Sequence, residues 1–272
     1  MRNVGRRPII NKRFLEPFIG YSSTYLLCRF RAQKRFLEPF LGVRLACMGR
    51  PRRVSTGGLV YHVLNRANAR RPIFESDRDY LAFERIMAEV QERVEMRILA
   101  YCLMPNHWHL VLWPREDGDL SAFIRLLTLT HTQRWHAHRQ SAGTGHLYQG
   151  RFKSFVVQTD SYFLAVCRYV ERNALRAGLV KHAEDWRWNS LWRHRNNEST
   201  TGLLLGDWPV DRPRHWVQLV NEPQSEVELR ALRQCVNRGT PFGDSQWLKS
   251  TTKRLGLEST LRPRGRPRSK EK

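Results

Sequence analysis

The chain has 272 residues, 41% of them hydrophobic and 11% aromatic, and its 47 Lys and Arg against 25 Asp and Glu give a formal charge of +22. That apolar content can build a core, which excludes wholesale disorder, and the lack of any run of 18 apolar residues excludes a membrane-spanning helix. Cys28, Cys47, Cys102, Cys167 and Cys235 are odd in number, scattered and never in a CxxC pair, which argues against a disulfide scaffold or a thiolate zinc site and fits a reducing cytoplasm.

The charge sits at the ends. Residues 1–53 carry +11 and residues 248–272 carry +7, leaving only +4 for residues 54–247. Basic tails on a balanced body suit a polyanion such as DNA or RNA, whose binding they strengthen by counterion release. Within the leader, KRFLEPFIG at 12–20 and KRFLEPFLG at 34–42 agree at eight of nine positions. Two copies are too few to stack as a solenoid. From Met48 the chain reads as an ordinary protein start. Residues 1–47 are therefore expected to be an extension outside the working protein, consistent with a short direct repeat in upstream DNA.

Gly58–Asn65 alternates and is rich in β-branched residues, which predicts a first strand. Asp77–Val94 places Leu81, Ile86, Val90 and Val94 near helical spacing behind Ser76 or Asp77 as cap, a first helix. Met96–Met104 and His107–Trp113 read as two strands joined at Pro105-Asn106, a turn signal. Leu120–Arg139 follows as a second helix and Phe152–Gln158 as a fourth strand. A third helix, capped by Asp160 or Ser161, runs to about Ala177 with Gly178 as its stop. This β-α-β-β-α-β-α order predicts an α+β fold, a ferredoxin-like split βαβ antiparallel sheet with one added helix. Beyond it lie Trp-rich connections over 182–247, helices at Glu226–Arg238 and near Gln246–Leu255, and a basic tail over 248–272. The six tryptophans there (Trp186, Trp188, Trp192, Trp208, Trp216 and Trp247) are expected to pack that region on the core.

Two groups carry chemistry. His107 and His109, in MPNHWHLVLWP, are i and i+2 on a strand and so share a face, placed to hold one metal ion while Trp108 packs on the other side. His136 and His138 repeat the triplet on a predicted helix, where the two side chains diverge. Tyr169 and Asn173, in CRYVERNALRAGLV, are i and i+4 on one helix face. Spacing alone also fits a packing stripe of Tyr162, Val166 and Tyr169. Taken together, two imidazoles and an amide oxygen could hold a metal that polarises a phosphodiester, and a neighbouring phenol could attack it to form a phosphotyrosine. Such chemistry conserves bond energy, in keeping with the absence of a GxxxxGK[ST] nucleotide motif.

MPNHWHLVLWP resembles the His-hydrophobic-His motif of the single-tyrosine transposases, and YVERNALRAGLV resembles the nucleophile helix of their REP-associated branch. GLVYHVLNRANARRPIF, GHLYQGRFKSF and the closing GRP are similar to that branch as well, so the likeness runs from about Met48 to the C-terminus. The resemblance implies a catalytic domain over 48–181 that cleaves hairpin-forming single-stranded DNA, with Tyr169 as nucleophile. It implies His107, His109 and Asn173 as ligands of Mg²⁺ or Mn²⁺, hard ions suited to amide and phosphate oxygen. Many relatives carry Pro where this chain has Ala174, which predicts a slightly longer helix here.

Tyr148, Gln149, Arg151 and Lys153 mix an aromatic ring with cations ahead of the fourth strand, a pattern for stacking and phosphate contact with single-stranded DNA. Arg264 and Arg266, in RPRGRPRSK, resemble an AT-hook core that enters a narrow minor groove. The expected protein is a cytoplasmic, nucleoid-associated monomer or homodimer that uses no nucleotide cofactor. A DNA-binding regulator that kept the fold without catalysis is the alternative. A zinc hydrolase on His107 and His109 has no HExxH-type partner set to support it.

Overall fold

A computed structural model describes residues 53–197 and 200–262. The repeated nonapeptides, the leader, Arg264 and Arg266 lie outside the described residues. Four strands, β1 (Val60–Arg66), β2 (Met96–Met104), β3 (His107–Pro114) and β4 (Lys153–Val157), form one antiparallel sheet in the order β2-β3-β1-β4. With α1 (Asp77–Arg93) between β1 and β2 and α2 (Asp119–His138) between β3 and β4, this is the split βαβ arrangement predicted from the sequence.

Alternation along the strands sorts the core into two layers. Tyr61, Val63, Tyr101, Leu103, Trp108, Leu110 and Leu112 face one way and pack with Tyr80, Phe83, Ile86 and Met87 of α1 and Phe123, Ile124 and Leu127 of α2. Val60, Ala100, Cys102, Val111, Phe155 and Val157 face the other way, against α3 (Ser161–Glu171). A register shift between Ile98 and Ala100 turns both Leu99 and Ala100 toward α3. Ser76 starts α1: the Asp79 carboxylate, a turn later, accepts from the Ser76 and Glu75 backbone N–H groups at 3.0 Å each.

The third predicted helix is broken. Regular helix stops at Glu171, Arg172 has φ −78° and ψ −4°, and α4 (Asn173–Arg176) follows before Gly178 turns left-handed at φ +72°. Ala174 therefore does not produce the longer continuous helix expected. The tightening at Arg172, whose N–H reaches the carbonyls of both Arg168 and Val170, allows its guanidinium to reach the Val220 and Asn221 carbonyls of α6 (Trp216–Asn221). α5 (Ser190–Asn196), α7 (Glu226–Arg238) and α8 (Ser245–Leu255) complete the helices.

The C-terminal region covers both edges of the sheet. Along β2, Leu103 N–H donates to Trp188 O at 2.8 Å, Gly206 N–H to Ile98 O at 2.9 Å, and the Trp208 indole to Leu99 O at 2.8 Å. Along β4, Phe242 N–H donates to Val156 O at 2.8 Å and the Phe242 carbonyl accepts from Gln158 N–H at 2.9 Å. All six tryptophans after α4 are buried or half-buried, as the packing reading required. Among the described residues no helix is long and apolar enough to cross a membrane.

Candidate active site

The β2–β3 hairpin delivers His107 and His109 to the face of the sheet that α3 covers, with ring centroids 5.1 Å apart, while Trp108 is fully buried on the opposite face. His107 Nδ1 lies 2.6 Å from Asn106 Oδ1. An amide oxygen only accepts, so Nδ1 carries the proton and Nε2 keeps its lone pair. β1 adds a residue absent from the sequence reading. His62, buried, places Nε2 2.9 Å from His109 Nδ1 and packs on Phe155 at 4.9 Å between ring centroids.

All three imidazoles are held neutral. Burial pushes His62 down to about 3, assisted by Arg176. It pushes His107 down to about 4, with Arg66 and Arg176 adding repulsion. His109 lies well below the ordinary histidine value through burial, then His62 and His107. Neutral imidazole is the metal-binding form, and both motif rings have Nδ1 engaged. His107 and His109 thus have the chemistry to hold a divalent cation through Nε2. Among the described residues no three His, Cys, Asp or Glu side chains form a metal-holding group; His62 does not make one, because its Nε2 is directed at His109.

α3 brings Tyr169 to this face. Its ring centroid lies 5.8 Å from that of His109 and 6.1 Å from that of His62, edge-on at 78° to each, with 8% of the residue exposed. The rotation of α3 is fixed by Glu171, whose carboxylate accepts from Ser190 Oγ at 2.6 Å and the Trp216 indole at 2.7 Å. Asn173 is buried, but its Oδ1 accepts from Arg176 Nη2 at 2.6 Å and its Nδ2 has no hydrogen-bond partner among the described residues. Arg176 also lies over the Tyr169 ring, 4.2 Å from its centroid, and donates to the Tyr169 carbonyl at 3.3 Å. The spacing 169, 173, 176 is i, i+4, i+7, so Arg176 was available to a helical reading. His62 left a weaker signal, a lone polar residue in the apolar run GLVYHVL.

The expected DNA-contact residues divide. Tyr148 is largely buried: it is 8% exposed, its hydroxyl accepts from the Trp108 indole at 3.1 Å and lies 2.6 Å from His131 Nδ1, and the residue also lines the groove beside α2. Trp108 needs a partner for its buried N–H, and that requirement draws the phenol inward. Gln149, Arg151 and Lys153 are exposed, with Lys153 donating to Asn237 at 3.2 Å. Gln149 and Arg151 line a groove of about 1140 Å³ beside α2, together with Arg53, Arg125, His136 and His146 and, among the described residues, with no Asp or Glu in its walls. Gln149 N–H donates to Arg66 O at 2.9 Å, joining the groove to the strand end beside His107.

This arrangement, a split βαβ sheet with paired histidines under a tyrosine-bearing helix, defines a class, and residues 55–173 match the family described as transposase IS200 like. A Haemophilus influenzae protein assigned as a REP-associated tyrosine transposase is 23% identical over 124 residues, 42% of this chain and 70% of that protein. The structure of a REP-associated tyrosine transposase bound to a REP hairpin aligns with a TM-score of 0.45 at 21% identity, covering 60% of this chain and 93% of that one. A Deinococcus radiodurans protein assigned as a transposase aligns at 0.34 and 17% identity, over 45% and 96% of the two chains. The chain is thus similar, over residues 55–173, to the IS200-like transposases and among them to a REP-associated tyrosine transposase.

Proposed function

We propose that this protein is a transposase that cuts and rejoins single-stranded, hairpin-forming DNA through a 5′-phosphotyrosine on Tyr169. The observation that carries the reading is the placement of the Tyr169 ring within 5.8 Å of the His109 ring, on one face of one sheet. The phenol oxygen attacks the scissile phosphorus and forms the Tyr–O–P bond, the P–O3′ bond breaks, and the phenolic proton is balanced by the proton taken up on the departing 3′ oxygen. Attack of a 3′-hydroxyl on the phosphotyrosine reverses the step and joins strands.

His107 and His109 would hold Mg²⁺ or Mn²⁺ through Nε2, with Asn173 Oδ1 as a third group once Arg176 releases it. Such an ion, when bound, supplies Lewis acidity to the phosphate oxygens. Gln149, together with Arg151 and the other arginines of the groove beside α2, binds the DNA flanking the cut, and Arg264 and Arg266 add duplex affinity. The likeness to REP-associated transposases points to repeated palindromic DNA as the substrate class.

The test is incubation of the protein with Mn²⁺ and an end-labelled hairpin oligonucleotide, followed by a denaturing gel. A covalent adduct is expected, absent in Tyr169→Phe and in His109→Ala. Tyr169→Phe should still bind the hairpin, because the ring and its packing remain. An adduct that persists in Tyr169→Phe and maps to Tyr162 would overturn the nucleophile assignment. No adduct from any form, with hairpin binding retained, would favour the DNA-binding regulator.

A further inference from the structure

We infer that His62 is a positioning residue for the metal-binding pair, accepting the Nδ1–H of His109 and so presenting His109 Nε2 unprotonated. This deepens the proposed function and rests on its assignment of His107 and His109 as ligands.

The argument begins with the register. His62 stands opposite Val111 and two residues from Leu64, which stands opposite His109, so His62 and His109 lie diagonally on the same face of the β1–β3 pair. Diagonal neighbours are within reach of long and aromatic side chains. Here they meet at 2.9 Å, Nε2 to Nδ1, with ring centroids 5.1 Å apart and planes tilted by 34°. Both residues are buried, 1% and 3% exposed. Only one proton can lie between two neutral imidazoles. If it belonged to His62, His109 would carry its own proton on Nε2 and could not ligate a cation there. If it belongs to His109 Nδ1, His109 Nε2 is bare.

The second arrangement matches His107, whose Nδ1–H is fixed by Asn106 Oδ1 at 2.6 Å. Two ring nitrogens of the same type are then offered by two residues of one strand. Phe155 fixes the His62 ring from β4, at 4.9 Å between centroids, and Tyr169 closes it edge-on from α3 at 6.1 Å. His62 is therefore held by a sheet neighbour and by the nucleophile helix, and any change in its ring is transmitted to His109 without touching DNA. Partners of this kind, which orient a ligating imidazole through its other nitrogen, typically account for 10–100-fold in metal affinity.

The experiment uses the full chain, ¹⁵N-labelled at histidine and free of metal, and reads ring tautomers by long-range ¹H–¹⁵N correlation at neutral pH. His109 should be protonated on Nδ1 in the wild type and should shift toward the Nε2–H form in His62→Phe. Mn²⁺ titration of the same proteins should show affinity falling by about 10–100-fold in His62→Phe. His62→Gln, whose side-chain oxygen can accept from His109, should recover most of both signals. Wild-type His109 protonated on Nε2 would overturn the inference, as would unchanged Mn²⁺ affinity in His62→Phe. The wild-type spectrum decides the matter even where His62→Phe fails to fold. Failure of the underlying reading looks different: the wild-type protein would then bind no Mn²⁺ at His107 and His109 at all.

Discussion

Arg176 makes three contacts at once, with the Asn173 oxygen, the Tyr169 carbonyl and the Tyr169 ring, and its charge lowers the affinity of all three histidines for protons. The same charge would repel a divalent cation held at His107 and His109, and its bond to Asn173 would compete with the ligation proposed for that residue. Arg176→Met removes both effects in the same direction, so Mn²⁺ should bind about tenfold tighter by calorimetric titration, one charge-assisted hydrogen bond being worth at least that much. A second prediction concerns His131, packed against Phe74 and Phe83 in the other core layer. Burial pushes it down to about 3, with Asp79 and Arg139 acting in opposite senses. The unfolded chain takes up this proton near pH 6.5 and the folded protein does not until about 3. The stabilisation is thus complete above pH 6.5 and lost as pH falls toward 3. Urea unfolding at pH 7 and pH 5 should show His131→Gln flattening that loss by about 1.4 kcal/mol per pH unit. At this scale the sequence displayed the residues whose spacing is their signal: the histidine pair of β3, and Tyr169 with Asn173. It concealed what Tyr148 bonds to, since that partnership depends on Trp108 and His131, side chains brought in from β3 and α2.

The elements themselves were legible where hydrophobic period is strong. β1 to β4, α1, α2 and α7 fall within a few residues of their expected bounds because alternation and 3.6-residue spacing are imposed by a two-layer core. The break at Arg172 left no such trace. Glu171 and Ala174 are good helix formers, Asn173 is not, and at the break Arg172 reaches α6, almost fifty residues away. The clasp joining α1, β2 and α5 was equally hidden. Glu84 accepts from the Tyr101 hydroxyl at 2.5 Å and from Arg193 Nη2 at 3.2 Å, with both charged side chains 4% exposed. Burial raises Glu84, against the opposing pull of Tyr101 and Arg193. Arg193→Met should strand that carboxylate and cost about 3–5 kcal/mol of unfolding free energy. The double variant Glu84→Gln, Arg193→Met should recover a large part of it, measurable as a return of the urea midpoint.

For the molecule as a whole, the region after α4 is an edge cover as much as a packing layer, and the sequence offered tryptophans but no strand period there because single bridges have none. Ile98 pairs with Leu205, Cys102 with Asn189, and Val157 with Phe242, each as an isolated bridge. A chain ending at Gly239 should keep β1–β3 but expose the outer edge of β4. Light scattering during refolding should show it associating where the full chain stays dispersed. The bridges also impose an order in time. Phe242 is about 85 residues beyond Val157, and chains are synthesised at roughly 5–20 residues per second, so β4 waits about 4–17 s after its own synthesis for its cover. The chain through α4 is therefore complete in sequence, with Tyr169 already made, while the sheet beneath it still has an open side.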